Sequence, residues 1–197
     1  MSKRNATITG LRRTCDAAPK PRRRRQAAPL DSSAFHILPA TPRDVPEILA
    51  MIEALAEYEK LRPLCVATEA NLQAALFGAR PVAEVLVGWE GSAPVGFALF
   101  FHNFSTFLGC KGLYLEDLFV RPSCRGRGYG RALLVHLARI AVARDCGRFE
   151  WAVLDWNAAA IGFYESLGAT LLPDWRITRV TGPALAALAA QPPATGA

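Results

Sequence analysis

No stretch of the 197 residues spells C-x-x-C, and the three histidines, His36, His102 and His136, lie far apart. That spacing argues against a zinc site, so no metal is expected. The five cysteines, Cys15, Cys65, Cys110, Cys124 and Cys146, are odd in number and scattered. They do not read as a disulfide framework, and free thiols fit a reducing, cytoplasmic compartment. No uninterrupted apolar run approaches the roughly 18 residues of a membrane span, so no membrane association is expected. The basic start lacks an apolar segment and does not read as a secretory signal. Acids are scarce in one region: residues 1–30 hold nine Lys and Arg and one acid, Asp16, a charge of +8. Residues 31–197 hold 14 Lys and Arg against 16 Asp and Glu, a charge of −2. The overall +6 therefore belongs to the tail, and no nucleic-acid binding is expected of the folded part.

Half of the residues, 51%, are hydrophobic, enough for one sizeable core. Residues 1–33, with the run Arg22-Arg23-Arg24-Arg25, show no hydrophobic period. They read as a disordered basic extension, with an organelle-targeting or polyanion-binding arm as the alternative. From Phe35 the pattern changes. Phe35–Leu38 reads as a strand. Thr41, Pro42 and Asp44 open a helix that runs to about Tyr58. A second helix starts at Thr68 and ends near Gly78. Glu84–Trp89 and Val95–Phe101 read as a β-hairpin across Gly91-Ser92-Ala93-Pro94, and Leu113–Val120 as a further strand. Arg131–Arg144 is nearly apolar all round and is expected to be a largely buried helix. Phe149–Leu154 reads as a strand, Ala158–Leu167 as a helix stopped by Gly168, Trp175–Val180 as a final strand and Pro183–Ala190 as a last helical turn or two. The order βααβββαβαβ gives one α/β (α+β) domain over residues 34–190, with 191–197 a disordered C-terminus.

The segment Arg121-Pro122-Ser123-Cys124-Arg125-Gly126-Arg127-Gly128-Tyr129-Gly130-Arg131 joins an expected strand to an expected helix. Glycines at alternate positions leave backbone N–H groups uncovered, and with the helix N-terminus they form an anion cradle. Arg125, Arg127 and Arg131 add positive charge, and a diphosphate is the natural ligand. A P-loop is excluded because no Gly-Lys-Ser/Thr occurs, and a dinucleotide fingerprint because Arg131 stands at its third glycine. A flexible turn with solvated arginines would share the spelling.

Arg125-x-x-Gly128-x-Gly130 resembles the R/Q-x-x-G-x-G/A acetyl-CoA signature of the GNAT N-acetyltransferases. Tyr58-Glu59, Leu113–Val120, Asp155-Trp156-Asn157 and Phe163-Tyr164 fall in the order and spacing of one subgroup. It comprises the diamine (spermidine/spermine) acetyltransferases and their relatives acting on thialysine and similar lysine analogues. The resemblance covers roughly residues 35–180. It implies a GNAT-like mixed central sheet, splayed in the middle and flanked by helices, with acetyl-CoA as co-substrate in the splay. It also implies direct transfer to a small-molecule amine in a ternary complex, and a homodimer. The cofactor would be held by Leu118, Phe119 and Val120, by Arg125 to Arg131 (Arg125, Gly126, Arg127, Gly128, Tyr129, Gly130, Arg131), and by Asn157.

Acetylating an amine requires it to be neutral. An alkylamine titrates near 10.4, so neutralising it at pH 7 costs about 4.6 kcal/mol, and a base must take the proton. Strict alternation along 113–120 puts Tyr114, Glu116, Leu118 and Val120 on one face and Leu113, Leu115, Asp117 and Phe119 on the other. The resemblance implies Glu116 as the base through an ordered water, Asp117 as an amine-binding or structural carboxylate, and Tyr164 as the acid that protonates the leaving thiolate. Phe163 reads as a core aromatic. Tyr58 and Glu59 would line the amine site with Glu116 and Asp117. Trp156 reads equally as core or as a wall of that site. Polyamine-specific members carry an acidic-aromatic pair before the catalytic strand, where this chain has Ser105-Thr106-Phe107-Leu108-Gly109. A long polycation needs such a second carboxylate, so short amines or lysine analogues are favoured. Two other readings stand beside this one: a protein N-terminal or lysine acetyltransferase, and a non-catalytic acyl-CoA-binding regulator.

Overall fold

The computed structural model describes residues 35–192. The expectations for the basic tail, and for residues 193–197, lie outside those residues. Five strands form one sheet in the order β1-β2-β3-β4-β5: β1 Phe35–Pro39, β2 Glu84–Glu90, β3 Ala93–Ser105, β4 Cys110–Val120 and β5 Phe149–Trp151. Neighbours are antiparallel through β4, and β5 joins β4 in parallel. The sheet is therefore mixed, as expected. The helices are α1 Val45–Tyr58, α2 Glu69–Phe77, α3 Tyr129–Ala143, α4 Ala158–Ser166 and α5 Gly182–Ala189. Among the described residues, no helix is long and apolar enough to cross a membrane.

Local chemistry sets the element starts. The Thr41 backbone N–H and hydroxyl both donate to the Asp44 carboxylate, at 2.7 and 2.8 Å. This closes a 3-10 turn over Pro42–Asp44 that leads into α1. At α2, the Asn71 N–H donates to the Thr68 hydroxyl and the Thr68 N–H to the Asn71 side chain, a reciprocal cap. Arg121 fastens the end of β4 to α1, donating to Glu47 at 2.9 Å and to the Pro94 carbonyl at 2.9 Å.

The core has two halves, one on each face of the sheet. Ile48 and Met51 of α1 meet Val87, Phe97 and Phe119 on one side. On the other, Leu133, Leu134 and Leu137 of α3 meet Leu113 and Leu115. The expectation that α3 is largely buried holds for one face and not for the other. One stripe (Leu133, Leu134, Leu137, Ala141) is buried, while Val135 and Val142 are 37% and 78% exposed. A single sheet can cover only one side of a helix.

Strict alternation along β4 is also corrected. Leu99 pairs with Asp117 and Phe100 with Leu115, so Glu116 is an extra residue with no opposite number on β3. Such a β-bulge shifts the side-chain phase by one position. Leu113 and Leu115 accordingly face the α3 side, as do Leu118 and Val120, while Phe119 faces the α1 side.

Two further expectations fail at the C-terminal end. β5 stops at Trp151 instead of Leu154, and Trp175–Val180 is irregular. No strand of the sheet accepts that segment, although its β-branched and aromatic residues suit one. Trp175 and Ile177 are 76% and 72% exposed, and Leu185 and Leu188 of α5 are also exposed.

Candidate functional site

β4 and β5 pair only from Leu113 with Phe149 to Leu115 with Trp151. Beyond Leu115 the two chains part. The β4 edge from Glu116 to Val120 then faces a gap instead of a neighbouring strand. A cleft of about 810 Å³ occupies that gap, running from the end of α1 past the β4 edge to the start of α3 and the face of α4. The fold thus opens the sheet where the sequence places its carboxylates and glycines.

The glycine-rich turn, the expected anion cradle, forms one end. Gly126 and Gly128 have positive φ, 77° and 82°, and nothing lies within 4 Å of where a Cβ would stand on either. Gly128 is the N-cap of α3, and no side chain caps that helix. The first amides of α3 are therefore free of a side-chain acceptor and suit the oxygens of a phosphate ligand. The Arg125 Nε donates to the Val120 carbonyl at 3.0 Å, and its guanidinium lies 4.8 Å from the Tyr58 ring centre. Gly126, Gly128, Tyr129, Gly130 and Arg131 line the cleft with it. Arg127 does not. Its guanidinium pairs with Glu90 at 2.9 Å. The Gly128→Val variant should fold, with about 1–2 kcal/mol of strain from a branched residue at positive φ. It should bind coenzyme A much more weakly by calorimetry. Unchanged affinity would remove the cradle from the site.

The carboxylates Glu59, Glu116 and Asp117 gather in the middle of the cleft. Burial, and then the neighbouring charges of Glu116 and Glu59, push Asp117 up to about 6. Burial also raises Glu59. Because folding raises the Asp117 value, its stability contribution is fully present below the unfolded value and is lost as pH rises through about 6. Asp117→Asn should therefore raise Tm at pH 8, by up to about 3 kcal/mol of stability, and change it little near pH 4. Thermal unfolding at the two pH values checks this; an equal effect at both would refute it.

Tyr164 closes the far side from α4, its ring 5.1 Å from that of Trp151. Burial, and then Glu59 and Tyr58, raise its hydroxyl above the ordinary tyrosine value, which keeps it protonated. Asn157 is the N-cap of α4, accepting from the Ala160 N–H at 3.2 Å and from the Tyr58 hydroxyl at 3.4 Å. Tyr58 thereby links α1 to α4 across the cleft. Leu118, Phe119 and Val120 line the cleft along β4, and Phe163 joins them from α4 while packing against the α3 half of the core. Trp156 is half exposed and outside the core, with the Lys60 ammonium 5.9 Å from its ring centre. Sequence reasoning missed Ile177 and Arg179, which line the cleft from the irregular segment before α5. Nothing in their spacing marks them, because the residues around them read as a strand.

A gap between two parallel strands, a glycine cradle at one end and carboxylates with a protonated tyrosine in the middle form one constellation. Residues 48–169 match the Acetyltransferase (GNAT) family. The chain belongs to that family. The acetyltransferase is 35% identical to the L-ornithine N5-acetyltransferase NATA1 of Arabidopsis thaliana, over 87% of this chain and 96% of that protein. It is 40% identical to the thialysine N-epsilon-acetyltransferase of Sus scrofa, over 74% and 92% of the two chains. Among solved structures it is similar to an integron cassette protein from the mobile metagenome of V. cholerae, with TM-score 0.68 and 28% identity over 80% and 98% of the chains. These relatives support the diamine and lysine-analogue subgroup. The acetyltransferase is accordingly an N-acetyltransferase, related to enzymes of small-molecule amines.

Proposed function

We propose that this N-acetyltransferase moves an acetyl group from acetyl-CoA to the primary amine of a short amino acid of the ornithine or lysine-analogue type, directly in a ternary complex. One observation carries the reading: Glu59, Glu116, Asp117 and Tyr164 converge in a cleft that continues without interruption from the glycine cradle. The amides around Gly126–Arg131 would hold the diphosphate of acetyl-CoA, and the unpaired β4 edge from Leu118 to Val120 its pantetheine arm. When bound, it would supply the acetyl group, held as a thioester, that is transferred. The carboxylates draw in the cationic amine. Glu116 takes its proton, directly or through water. The neutral nitrogen attacks the thioester carbonyl and forms the amide bond as the carbon–sulfur bond breaks; the Tyr164 hydroxyl gives its proton to the departing sulfur, and the second proton shed by the nitrogen restores the Tyr164 hydroxyl. Glu59 and Asp117, with Tyr58, position the amine.

The named relatives act on L-ornithine and thialysine, which both carry a carboxylate beside their amines. Arg179 lines the same cleft and suits that carboxylate. Three clustered acids favour a compact cation over a protein chain end. The test is turnover against lysine analogues, ornithine, short diamines and spermine. Amino acids or short diamines should give the highest kcat/KM, and spermine a low one. Arg179→Ala should raise KM for amino acids by about tenfold and leave diamines nearly unchanged. A dominant activity on spermine or on peptides would overturn the substrate class. A cytoplasmic location fits the free thiols of Cys65, Cys110, Cys124 and Cys146. A homodimer fits the exposed apolar segment with Trp175 and Ile177, which a second copy could cover.

A further inference from the structure

β4 and β5 form a fork whose arms part beyond Leu115 and whose foot lies at the start of both strands. Two cysteines stand at that foot. Cys110 is the first residue of β4, and Cys146 lies just before Phe149 opens β5. Both are free and half-buried. The register pairs Leu113 with Phe149, and the same offset carried back along both chains sets Cys110 opposite Cys146. The backbones stay hydrogen-bonded on the way. The Leu113 N–H donates to the Arg148 carbonyl at 3.0 Å, and the Gly147 N–H to the Lys111 carbonyl at 2.9 Å. Neighbouring strands run about 4.8 Å apart, within the roughly 4.4–6.8 Å between Cα atoms that a disulfide spans.

The side chains agree with the backbone. A Cβ on Gly147 would stand 2.5 Å from the Cys110 sulfur, so that sulfur lies against the residue that follows Cys146, in room that a glycine leaves open. Burial raises the Cys146 thiol above its ordinary value, Lys111 and Arg144 oppose the rise, and the neighbouring Cys110 adds to it. The other described cysteines stand elsewhere, Cys65 after the turn Arg62–Leu64 and Cys124 at the glycine-rich turn. We propose that Cys110 and Cys146 are a reversible dithiol–disulfide pair, which closes on reaction with glutathione disulfide and ties β4 to β5 at the foot of the fork. The Cys146 thiolate attacks glutathione disulfide, breaks its S–S bond, forms a mixed disulfide and releases one glutathione. The Cys110 thiolate then attacks the Cys146 sulfur, forms the bond within the chain and releases the second glutathione. Two protein thiols are oxidised, one glutathione disulfide is reduced, and the two thiol protons end on the two glutathiones. The loop so closed contains the glycine-rich turn and α3, and constraining it in the unfolded chain stabilises the fold.

The test incubates the full-length protein with excess glutathione disulfide and reads it by mass spectrometry without reduction. Two of the five thiols should be lost, a peptide linking Cys110 to Cys146 should appear, and Tm should rise, all reversed by dithiothreitol. Cys110→Ser should stop at a glutathione adduct on Cys146, with no link and no rise in Tm. Cys146→Ser should likewise form no link. Neither cysteine lines the catalytic cleft, so both variants in reduced form should keep the wild-type Tm and turnover of amine. A link made instead through Cys15, Cys65 or Cys124, or one between two chains, would overturn the pair. So would glutathione adducts that persist on Cys110 and Cys146 together, or five thiols left unchanged once the exchange has reached equilibrium.

Discussion

Tyr164→Phe should lower kcat by about 10²–10⁴-fold, the usual contribution of a positioned general acid, while the dissociation constant for acetyl-CoA stays where it was. The ring supplies the contacts with Trp151 and Phe163, and phenylalanine keeps the ring. The hydroxyl alone is lost. Its surroundings argue that it is a proton donor: burial and the carboxylate of Glu59 both disfavour the phenolate, so the proton is present when the sulfur needs it. A structural role would instead appear as a lower Tm with little change in rate. Slow product release could mask a chemical defect in steady state, so the decisive measurement is a single turnover. A normal single-turnover rate in Tyr164→Phe would make the residue a core aromatic and leave water to protonate the sulfur.

The second large effect is expected of Glu116→Gln. Near neutral pH an alkylamine is almost wholly protonated, and a variant without the base must wait for the rare neutral form. The rate should fall by about 10²–10⁴-fold at pH 7 and recover partly toward pH 9–10, where more amine is already neutral. Asp117→Asn tests the division of labour between the neighbours. Asp117 titrates near 6 because it is buried beside Glu116 and Glu59. If it only positions the amine, its removal should raise KM more than it lowers kcat. A pH–rate profile in Glu116→Gln that parallels the wild type would transfer the base to another group, with Asp117 first in line.

The parts of the site carried by local rules were legible in the sequence. Alternating glycines before an apolar helix marked an open turn, and Gly126 and Gly128 do adopt the left-handed backbone there. Thr41 with Asp44, and Thr68, marked the helix starts for the same reason: each cap is made within four residues, at the second with Asn71 as the partner. What sequence patterning could not supply was pairing. A bulge has no spelling of its own. It exists because Leu115 and Asp117 find adjacent partners on β3, a fact about two strands distant in the chain. Trp175–Val180 failed for the same reason, since a strand pattern makes a strand only where an edge accepts it. Arg127 shows the limit for charge. Its position in the motif suggested phosphate, while the pairing with Glu90, 37 residues earlier, had no signal in the sequence.

The bulge at Glu116 also bears on how the strand could tolerate a change in length. Remove that one residue and Leu115 would join Asp117 directly, opposite Phe100 and Leu99, in an unbroken ladder. The flanking side chains would keep their faces, Leu113 and Leu115 toward α3 and Phe119 toward α1. To the sheet, Glu116 is an insertion that neither pairing nor packing requires. A single-residue deletion there would spare the scaffold and excise the proposed base, separating the chain's architecture from its chemistry at one codon.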